Sequence, residues 1–236
     1  MLRKTLIVLT LVTAFSSHAE ENTKSKWNGD AELGYSKTSG NSDTESLYLK
    51  GKIINEREKW RHTGTLEALN QSSDNATTAK RWYLTGKSDY KIDDLSYLFV
   101  LLSYEDDEFS GFEYQINEVF GYGFAAIKKD DIKLNLEAGV GARQSKPFNG
   151  SSNSEVIARG AADLEWKISK TSVFTQLLSV EAGEDSTISR SVSALQLLIV
   201  GNLSAKLSHS IKHTSDVPAG IEKTDTVSLV TLAYKF

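Results

Sequence analysis

The sequence predicts an all-β protein: a twelve-stranded antiparallel up-and-down transmembrane β-barrel with both termini periplasmic. Three observations predict this fold. Segments of about ten residues alternate between apolar and polar side chains, clusters of turn residues separate them, and their number is even. A period of two residues is that of a strand, whose side chains point alternately to opposite faces. An even number of strands returns the chain to the side of the membrane from which it started.

The last segment, residues 226–236, shows this pattern clearly. Val230, Leu232, Tyr234 and Phe236 form one apolar row that finishes on an aromatic residue. The pattern resembles the closing strand of bacterial outer-membrane barrels, in which a terminal aromatic residue is part of the assembly signal. The resemblance implies the barrel-assembly machinery as a partner of this strand. An edge strand of a soluble β-domain is the alternative.

Eleven further strands are predicted, at 27–37, 44–55, 60–71, 81–92, 95–105, 112–126, 132–144, 155–167, 172–182, 187–200 and 203–214. Connections after even-numbered strands are tight. Those after odd-numbered strands are mostly longer and more polar, notably 72–79, 146–154 and 215–222. Short periplasmic turns and longer outer loops are typical of bacterial barrels. Pro147 and Pro218 lie in the polar stretches and are predicted to be loop residues.

Four of these strands cannot be oriented from the pattern. Strands 95–105, 172–182 and 187–200 carry apolar residues on both faces, and in strand 112–126 Glu118 shares a face with Ile116 and Phe120. One hypothesis is that the inner faces of these strands pack against something in the lumen.

Residues 1–19 have the pattern of a secretory signal peptide. Arg3 and Lys4 supply its positive start, residues 6–15 its apolar run, and Ser17 and Ala19 the small residues of a cleavage site. The predicted organisation is therefore a signal peptide at 1–19, a short periplasmic segment at 20–26 and an outer-membrane barrel at 27–236. An exported barrel of this kind is expected in the cell outer membrane of a Gram-negative bacterium.

The composition argues against several kinds of site. The chain has no cysteine, so it has neither a disulfide framework nor a cysteine metal site. Its formal net charge is -4 and it has no basic tract, so no nucleic-acid partner is expected. We expect a monomer without cofactor or metal, in contact with outer-membrane lipid.

A membrane barrel turns its apolar rows to lipid and its charged rows to the lumen. The charged rows carry both signs, which allows pairing across strands. The predicted lumen-lining residues are Arg61, Glu67, Arg81, Lys87, Asp89, Lys133, Glu137, Arg143, Arg159, Asp163 and Glu165. Aromatic residues near the periplasmic strand ends are predicted to form a membrane-interface girdle, namely Trp27, Trp60, Tyr90, Trp166, Tyr234 and Phe236.

Two functions fit such a lumen. It is either a narrow, porin-like passage for small hydrophilic solutes or a salt-bridged filling that holds the barrel round. A twelve-strand barrel is near the size at which side chains fill the interior, so both readings stay open. A soluble periplasmic β-binding module is a weaker alternative.

A lipid-modifying or lipid-hydrolysing barrel enzyme would need a serine beside a histidine on its outer wall. His209 and His213 share one face of a strand, whereas Ser208 and Ser210 point to the other face. The two histidines lie about 13 Å apart along the strand, too far to share one metal ion. The acidic residues 106–108 are predicted to be a solvated loop, with binding of divalent cations or lipopolysaccharide-bound ions as the alternative. No catalytic residue is therefore predicted, and no enzyme activity is expected.

Residues 34–46, with the sequence GYSKTSGNSDTES, resemble the first hairpin of the domain-of-unknown-function 481 family. The resemblance extends along the mature chain through Gly121-Tyr122-Gly123 to the terminal strand. Members of this family are described as salt-induced outer-membrane proteins. The resemblance implies an outer-membrane barrel linked to osmotic or envelope stress, and it implies no reaction.

Overall fold

A computed structural model describes residues 26–38, 44–74, 76–148 and 150–236, and shows one closed barrel. Each strand pairs antiparallel with its neighbours in sequence, and β1 pairs with β12. The predicted up-and-down barrel is confirmed. The strands are β1 (Lys26–Thr38), β2 (Thr44–Glu56), β3 (Trp60–Ser73), β4 (Ala76–Lys91), β5 (Ser96–Asp107), β6 (Phe112–Lys128), β7 (Ile132–Pro147), β8 (Asn153–Lys167), β9 (Ser172–Gly183), β10 (Thr187–Val200), β11 (Leu203–Thr214) and β12 (Thr224–Lys235).

The barrel is apolar outside and polar inside. On β2, Leu47 and Leu49 point outward and are 41% and 46% exposed, whereas Tyr48 between them points inward and is buried. A soluble domain would bury its apolar row, so this exposed apolar belt is that of a barrel that spans a bilayer. Within the described ranges, no helix is long and apolar enough to cross a membrane.

The barrel has two rims. We call the one at which β1 begins and β12 ends the terminal rim, and the opposite one the far rim. At the far rim the strands are longer than predicted. Most of the predicted loop 72–79 is strand, and only residues 74–75 separate β3 from β4. Polar residues can continue a hairpin above the lipid, where both faces of the strands meet water. The connections at the far rim therefore exceed those at the terminal rim in length by less than the sequence predicted.

Pro147 was expected in a loop, and this expectation is wrong. It is the last residue of β7 and lies opposite Phe112 beside a register shift, a position at which a strand tolerates a missing N–H. Pro218 does lie in a loop. The predictions for residues 1–19, for 20–25 and for the turn at 39–43 lie outside the described residues.

At the terminal rim, the turn between β4 and β5 is held by a carboxylate. Asp93 accepts hydrogen bonds from the backbone N–H groups of Leu95 (2.8 Å) and Ser96 (2.7 Å). These two hydrogen bonds lower the pKa of Asp93 below its ordinary value, and the bond from Leu95 has the larger effect.

Because the folded pKa is the lower one, this turn stabilises the barrel above the ordinary aspartate pKa and loses that contribution as pH falls through the folded pKa. We predict that the Asp93 carboxyl resonance titrates below pH about 3.9 in the folded barrel, and that Asp93→Asn weakens the acid dependence of unfolding. A titration midpoint above 3.9 contradicts this prediction.

Aromatic side chains cover a glycine-rich patch of the inner wall. Phe99 and Tyr97 on β5 lie directly over Gly121 and Gly123 on β6, with ring atoms 2.7 and 2.2 Å from where a Cβ would stand. Phe99 is 1% exposed and packs in one buried cluster with Tyr97 and Val119. This apolar inner patch explains why β5 and β6 carry apolar residues on both faces.

The barrel closes by a short ladder at the terminal rim. β1 pairs with β12 only from Asp30–Lys235 to Leu33–Leu232, while every other ladder pairs eleven residues or more. Gly29 and Phe236 exchange two further backbone hydrogen bonds of 2.8 and 2.9 Å. The ring of Phe236 occupies the space of the side chain that Gly29 lacks.

Candidate functional site in the barrel lumen

The structure places every predicted lumen-lining residue on the inner face. In the terminal half, Asp89 accepts a 2.6 Å bond from Arg61 and lies 3.1 Å from Lys87. Lys87 also contacts Glu137, to which Tyr97 donates a 2.8 Å hydrogen bond. Nearer the terminal rim, Lys133 and Glu165 form a half-exposed pair on neighbouring strands. Asp163 lies opposite Asn135, between these two groups.

A second group lies on β2–β4. Glu67 accepts a 2.7 Å hydrogen bond from Lys50, and Arg81 approaches its other oxygen at 3.6 Å. Lys206 on β11 donates a 2.5 Å bond to Glu32 on β1, behind the closing ladder. All of these pairs join strands that are near one another, so they line the wall without crossing the lumen.

A third group crosses the lumen in the far half. Glu105 on β5 accepts hydrogen bonds from Arg190 on β10 (2.6 Å) and from Lys212 on β11 (2.9 Å). β5 and β11 are six strands apart, which places them on opposite sides of a twelve-strand barrel. The Arg190 guanidinium also lies 5.5 Å from the ring centroid of Tyr83 on β4, directly opposite β10. We call Glu105, Arg190, Lys212 and Tyr83 the lumenal bridge.

Glu181 connects the lumenal bridge to the wall. Its carboxylate lies 3.5 Å from Arg190 and 3.7 Å from Arg159, and accepts a 3.1 Å hydrogen bond from Asn117. Arg143 has a completely buried side chain and lies 3.9 Å from the same carboxylate.

Arg143 itself has a mainly structural environment. Its guanidinium donates to Glu155 (2.9 Å), to the Ser186 hydroxyl (2.9 Å) and to the Glu181 carbonyl (2.9 Å). These bonds join β7, β8, β9 and the β9–β10 turn. We infer that Arg143 ties the wall together. Arg159 is held less tightly, because its Nε lies 3.7 Å from Glu181 and its buried Nε and Nη1 atoms make no hydrogen bond.

A loop covers the lumenal bridge at the far rim. Pro218 and Ile221, in the β11–β12 loop, reach Gly111 in the β5–β6 loop on the opposite side of the barrel. The Pro218 Cγ and Ile221 Cγ1 atoms lie 2.9 and 3.0 Å from where a Cβ of Gly111 would stand. Gly111 has a φ of +84°, which a residue with a side chain rarely adopts. The far mouth is therefore crossed by a loop above the bridge.

The terminal half of the lumen is accessible. Leu177 on β9 and Leu198 on β10 point inward by their register and are nevertheless 39% and 42% exposed. The lumen is thus open to solvent along the terminal part of β9 and β10, which we call the terminal vestibule, and is closed in its far half by the lumenal bridge.

The charged residues of the lumenal bridge were not among the sequence predictions. Glu105 and Arg190 lie on β5 and β10, and Glu181 on β9, three strands whose two apolar faces prevented orientation. One pattern could have identified Glu181 and Arg190. A single charged residue within an otherwise uncharged membrane strand belongs on the lumenal side, because lipid disfavours it.

The predicted girdle residues lie on the outward face near the terminal rim. Trp60 and Tyr90 are cross-strand neighbours in edge contact, with ring centroids 5.1 Å apart. Trp27, Trp166, Tyr234 and Phe236 are all at least 45% exposed.

The orientation of β6 is settled at Glu118, which could not be assigned from sequence. Its side chain faces outward and is exposed.

The pairing of β11 with β12 places a serine beside His209 that the sequence pattern within one strand did not reveal. Ser208 and Ser210 do face the lumen, but Ser228 on β12 lies opposite His209, and its hydroxyl is 2.8 Å from Nδ1. The same contact recurs at His62–Ser88 (2.7 Å) and His213–Thr224 (2.8 Å). All three described histidines face outward and use Nδ1 in this way, so the contact alone does not indicate a catalytic pair.

Known proteins share this architecture. The model of a family described as "Protein of unknown function, DUF481" matches residues 31–236. The chain belongs to the DUF481 family. Uncharacterized protein YdiY of Escherichia coli K12 is similar to this DUF481 chain, with 26% identity over 214 residues that cover 89% of the chain and 84% of YdiY.

The NanC porin is similar to the DUF481 chain in structure. The TM-score is 0.51 at 10% identity, over 88% of this chain and 97% of NanC. At that identity the likeness shows a shared fold and nothing about solutes.

Proposed function

We propose that this protein is a non-enzymatic outer-membrane barrel that provides a narrow passage for small hydrophilic solutes, closed in the observed state by the lumenal bridge. The single observation that carries the proposal is Glu105, whose carboxylate joins Arg190 and Lys212 across the lumen. A plug of charged side chains can separate and hydrate, whereas an apolar plug cannot. The accessible terminal vestibule supports a passage rather than a uniformly filled interior.

The exposed apolar belt and the aromatic girdle support an outer-membrane location, with the terminal rim towards the periplasm. In this proposal the barrel is a monomer. Its signal peptide directs export, and the barrel-assembly machinery recognises β12 and inserts the chain into the outer membrane. The link to osmotic stress that the sequence resemblance implies would suit a passage whose closure is ionic. An envelope-stress structural role is the alternative, in which the lumenal bridge is a permanent filling.

The test is single-channel conductance of the refolded mature chain in a planar bilayer. We expect long closed periods interrupted by small discrete openings, because the lumenal bridge must break before ions pass. A heat-modifiable gel shift verifies that the barrel is folded. A folded barrel that never opens, at any voltage or salt concentration, contradicts the passage and favours the structural role.

A further inference from the structure

The outward face of β10–β12 is polar at a depth where most of the wall is apolar. The outward rows of β7 and β8, for example, contain no charged or hydroxyl side chain from Ile132 to Ala142 and from Val156 to Trp166. On β10–β12 the outward positions instead form what we call the outer polar strip: Ser189, Ser191, Ser193, His209, His213, Thr224, Thr226 and Ser228.

The outer polar strip reaches well into the hydrocarbon layer. Ser228 lies six residues along β12 from the girdle residue Tyr234. With a rise of about 3.3 Å per residue and a strand tilt of about 40°, Ser228 lies roughly 15 Å above the girdle, inside an apolar band about 25 Å tall. Lipid offers these hydroxyl and imidazole groups no partner at that depth, so most of them bond to one another or to Gln176, and each keeps further hydrogen-bonding capacity for a polar ligand.

A shallow groove crosses the terminal end of the strip. Its sides are apolar, formed by Phe174, Leu195, Leu207 and Val230, and its polar positions are Ser193, His209 and Ser228. Ser193 donates a hydrogen bond to Gln176, and His209 contacts Ser228. An acyl chain fits the apolar sides, and a hydrogen-bonding headgroup fits the polar positions.

The strip ends at the part of the wall that is not joined. Ser36 and Lys37 of β1 form no cross-strand pair with residues 224–229 of β12 within the described chain, although the strands run side by side from Leu33 to the terminal rim. At the terminal end of this gap lies Thr231, the next residue of β12 after the last joined pair Leu33–Leu232, and its methyl group packs against Gly34 of β1. Thr231 faces the lumen by its register, is 3% exposed, and its hydroxyl makes no hydrogen bond, so it marks the lumenal side of the point where the seam stops being joined.

We propose that the unjoined part of the β1–β12 seam is a lateral route between the outer leaflet and the lumen, and that the outer polar strip binds the amphiphile that uses it. The ligand class is a lipid-like molecule with an acyl chain and a hydrogen-bonding headgroup. This inference goes beyond the axial passage and does not depend on it, because it concerns the wall and not the lumenal bridge.

The absence of cysteine makes the route directly testable. Thr231→Cys places a thiol on the lumenal side of the seam, next to its last joined pair. Thr65→Cys is the matched control, because Thr65 also faces the lumen and both strands beside it are fully paired. Its depth is matched as well: Thr65 lies five residues from the terminal end of β3, and Thr231 lies five residues from Phe236. Each variant is refolded into phosphatidylcholine vesicles that contain a long-chain alkyl methanethiosulfonate, and labelling is normalised to the unfolded chain.

We expect Thr231→Cys to be labelled at least about tenfold faster than Thr65→Cys, because a fully paired wall leaves no opening for a lipid-borne reagent. Equal normalised rates overturn the lateral route, since both thiols would then be reached only through the mouth of the barrel.

Removal of the strip supplies the second test. In the Thr231→Cys background, His209→Leu should slow labelling severalfold. His62→Leu removes the same kind of histidine–serine contact outside the strip, at the terminal end of β3 on the other side of the seam, and should leave labelling unchanged. Equal effects of the two substitutions contradict the role of the strip. If sedimentation instead shows a dimer that His209→Leu dissociates, with no change in labelling, the strip is an interface between copies and the proposal is wrong.

Discussion

Glu105→Gln is expected to convert a mostly closed barrel into one that conducts. The substitution removes the carboxylate that holds Arg190 and Lys212 together in the far half of the lumen. Lys212 has no other ion-pair partner among the described residues, and its side chain is 7% exposed. The two cations then repel each other and draw in water. Single-channel recordings should show a severalfold higher open probability than the parent.

The same substitution should also destabilise the barrel. Breaking a buried ion pair by removing one partner typically costs about 3–5 kcal/mol, because the remaining charge is left uncompensated. Urea unfolding of the refolded variant measures this loss. Glu113→Gln is the matched control, because its pair with Lys146 is more than one-third exposed near the far rim. If Glu105→Gln conducts no more than Glu113→Gln while remaining folded, the lumenal bridge is not the closure.

Gly141→Val is expected to prevent folding. A Cβ at Gly141 would stand 1.9 Å from the Glu118 carbonyl oxygen and 2.9 Å from the Val119 Cα, both backbone atoms of the neighbouring strand. No side-chain rotation relieves such a clash, so β6 and β7 must separate. We expect a loss above about 4 kcal/mol, in the range reserved for severe core defects. The measurement is the fraction of protein that shows the heat-modifiable band after refolding.

Gly160→Val on the adjacent strand is the control. A Cβ at Gly160 meets no heavy atom within 4 Å, and its neighbours in the outward row are Ala158 and Ala162. A valine there faces lipid and suits a strand, so refolding should equal or exceed that of the parent. Failure of both variants to fold would show that these strands tolerate no branched side chain at either glycine, and would contradict the specific role of close approach at Gly141.

The sequence was sufficient to predict the barrel and most strand ends. Strands such as β7 and β8 alternate strictly because one face meets lipid and the other meets charged groups or water. The pattern failed on β5 and β6, where Phe99 and Val119 face inward over glycines. A glycine leaves a depression in the inner wall, and an apolar side chain of the neighbouring strand fills it. Which side chain lies over which glycine depends on the strand register, and the alternation of apolar and polar residues along one strand does not determine that register.

The lumenal bridge could not be derived for the same reason. Glu105 and Lys212 are 107 positions apart in sequence, and only closure of the cylinder brings them together. His209 and Ser228 likewise meet only because β11 and β12 pair in one particular register. Periodicity within a segment predicts which face a residue occupies, and it does not predict which residue lies opposite.

The contact between Phe236 and Gly29 bears on the order of events in folding. It joins positions that are nearly the whole described chain apart, and it belongs to the shortest ladder of the barrel. Loop-closure entropy disfavours such a distant pairing until the intervening hairpins have brought the ends together. The protein must therefore exist first as a curled sheet with two free margins. Packing of the Phe236 ring on Gly29 then completes the closure, and a molecule that keeps the edges of β1 and β12 apart would control when the barrel forms.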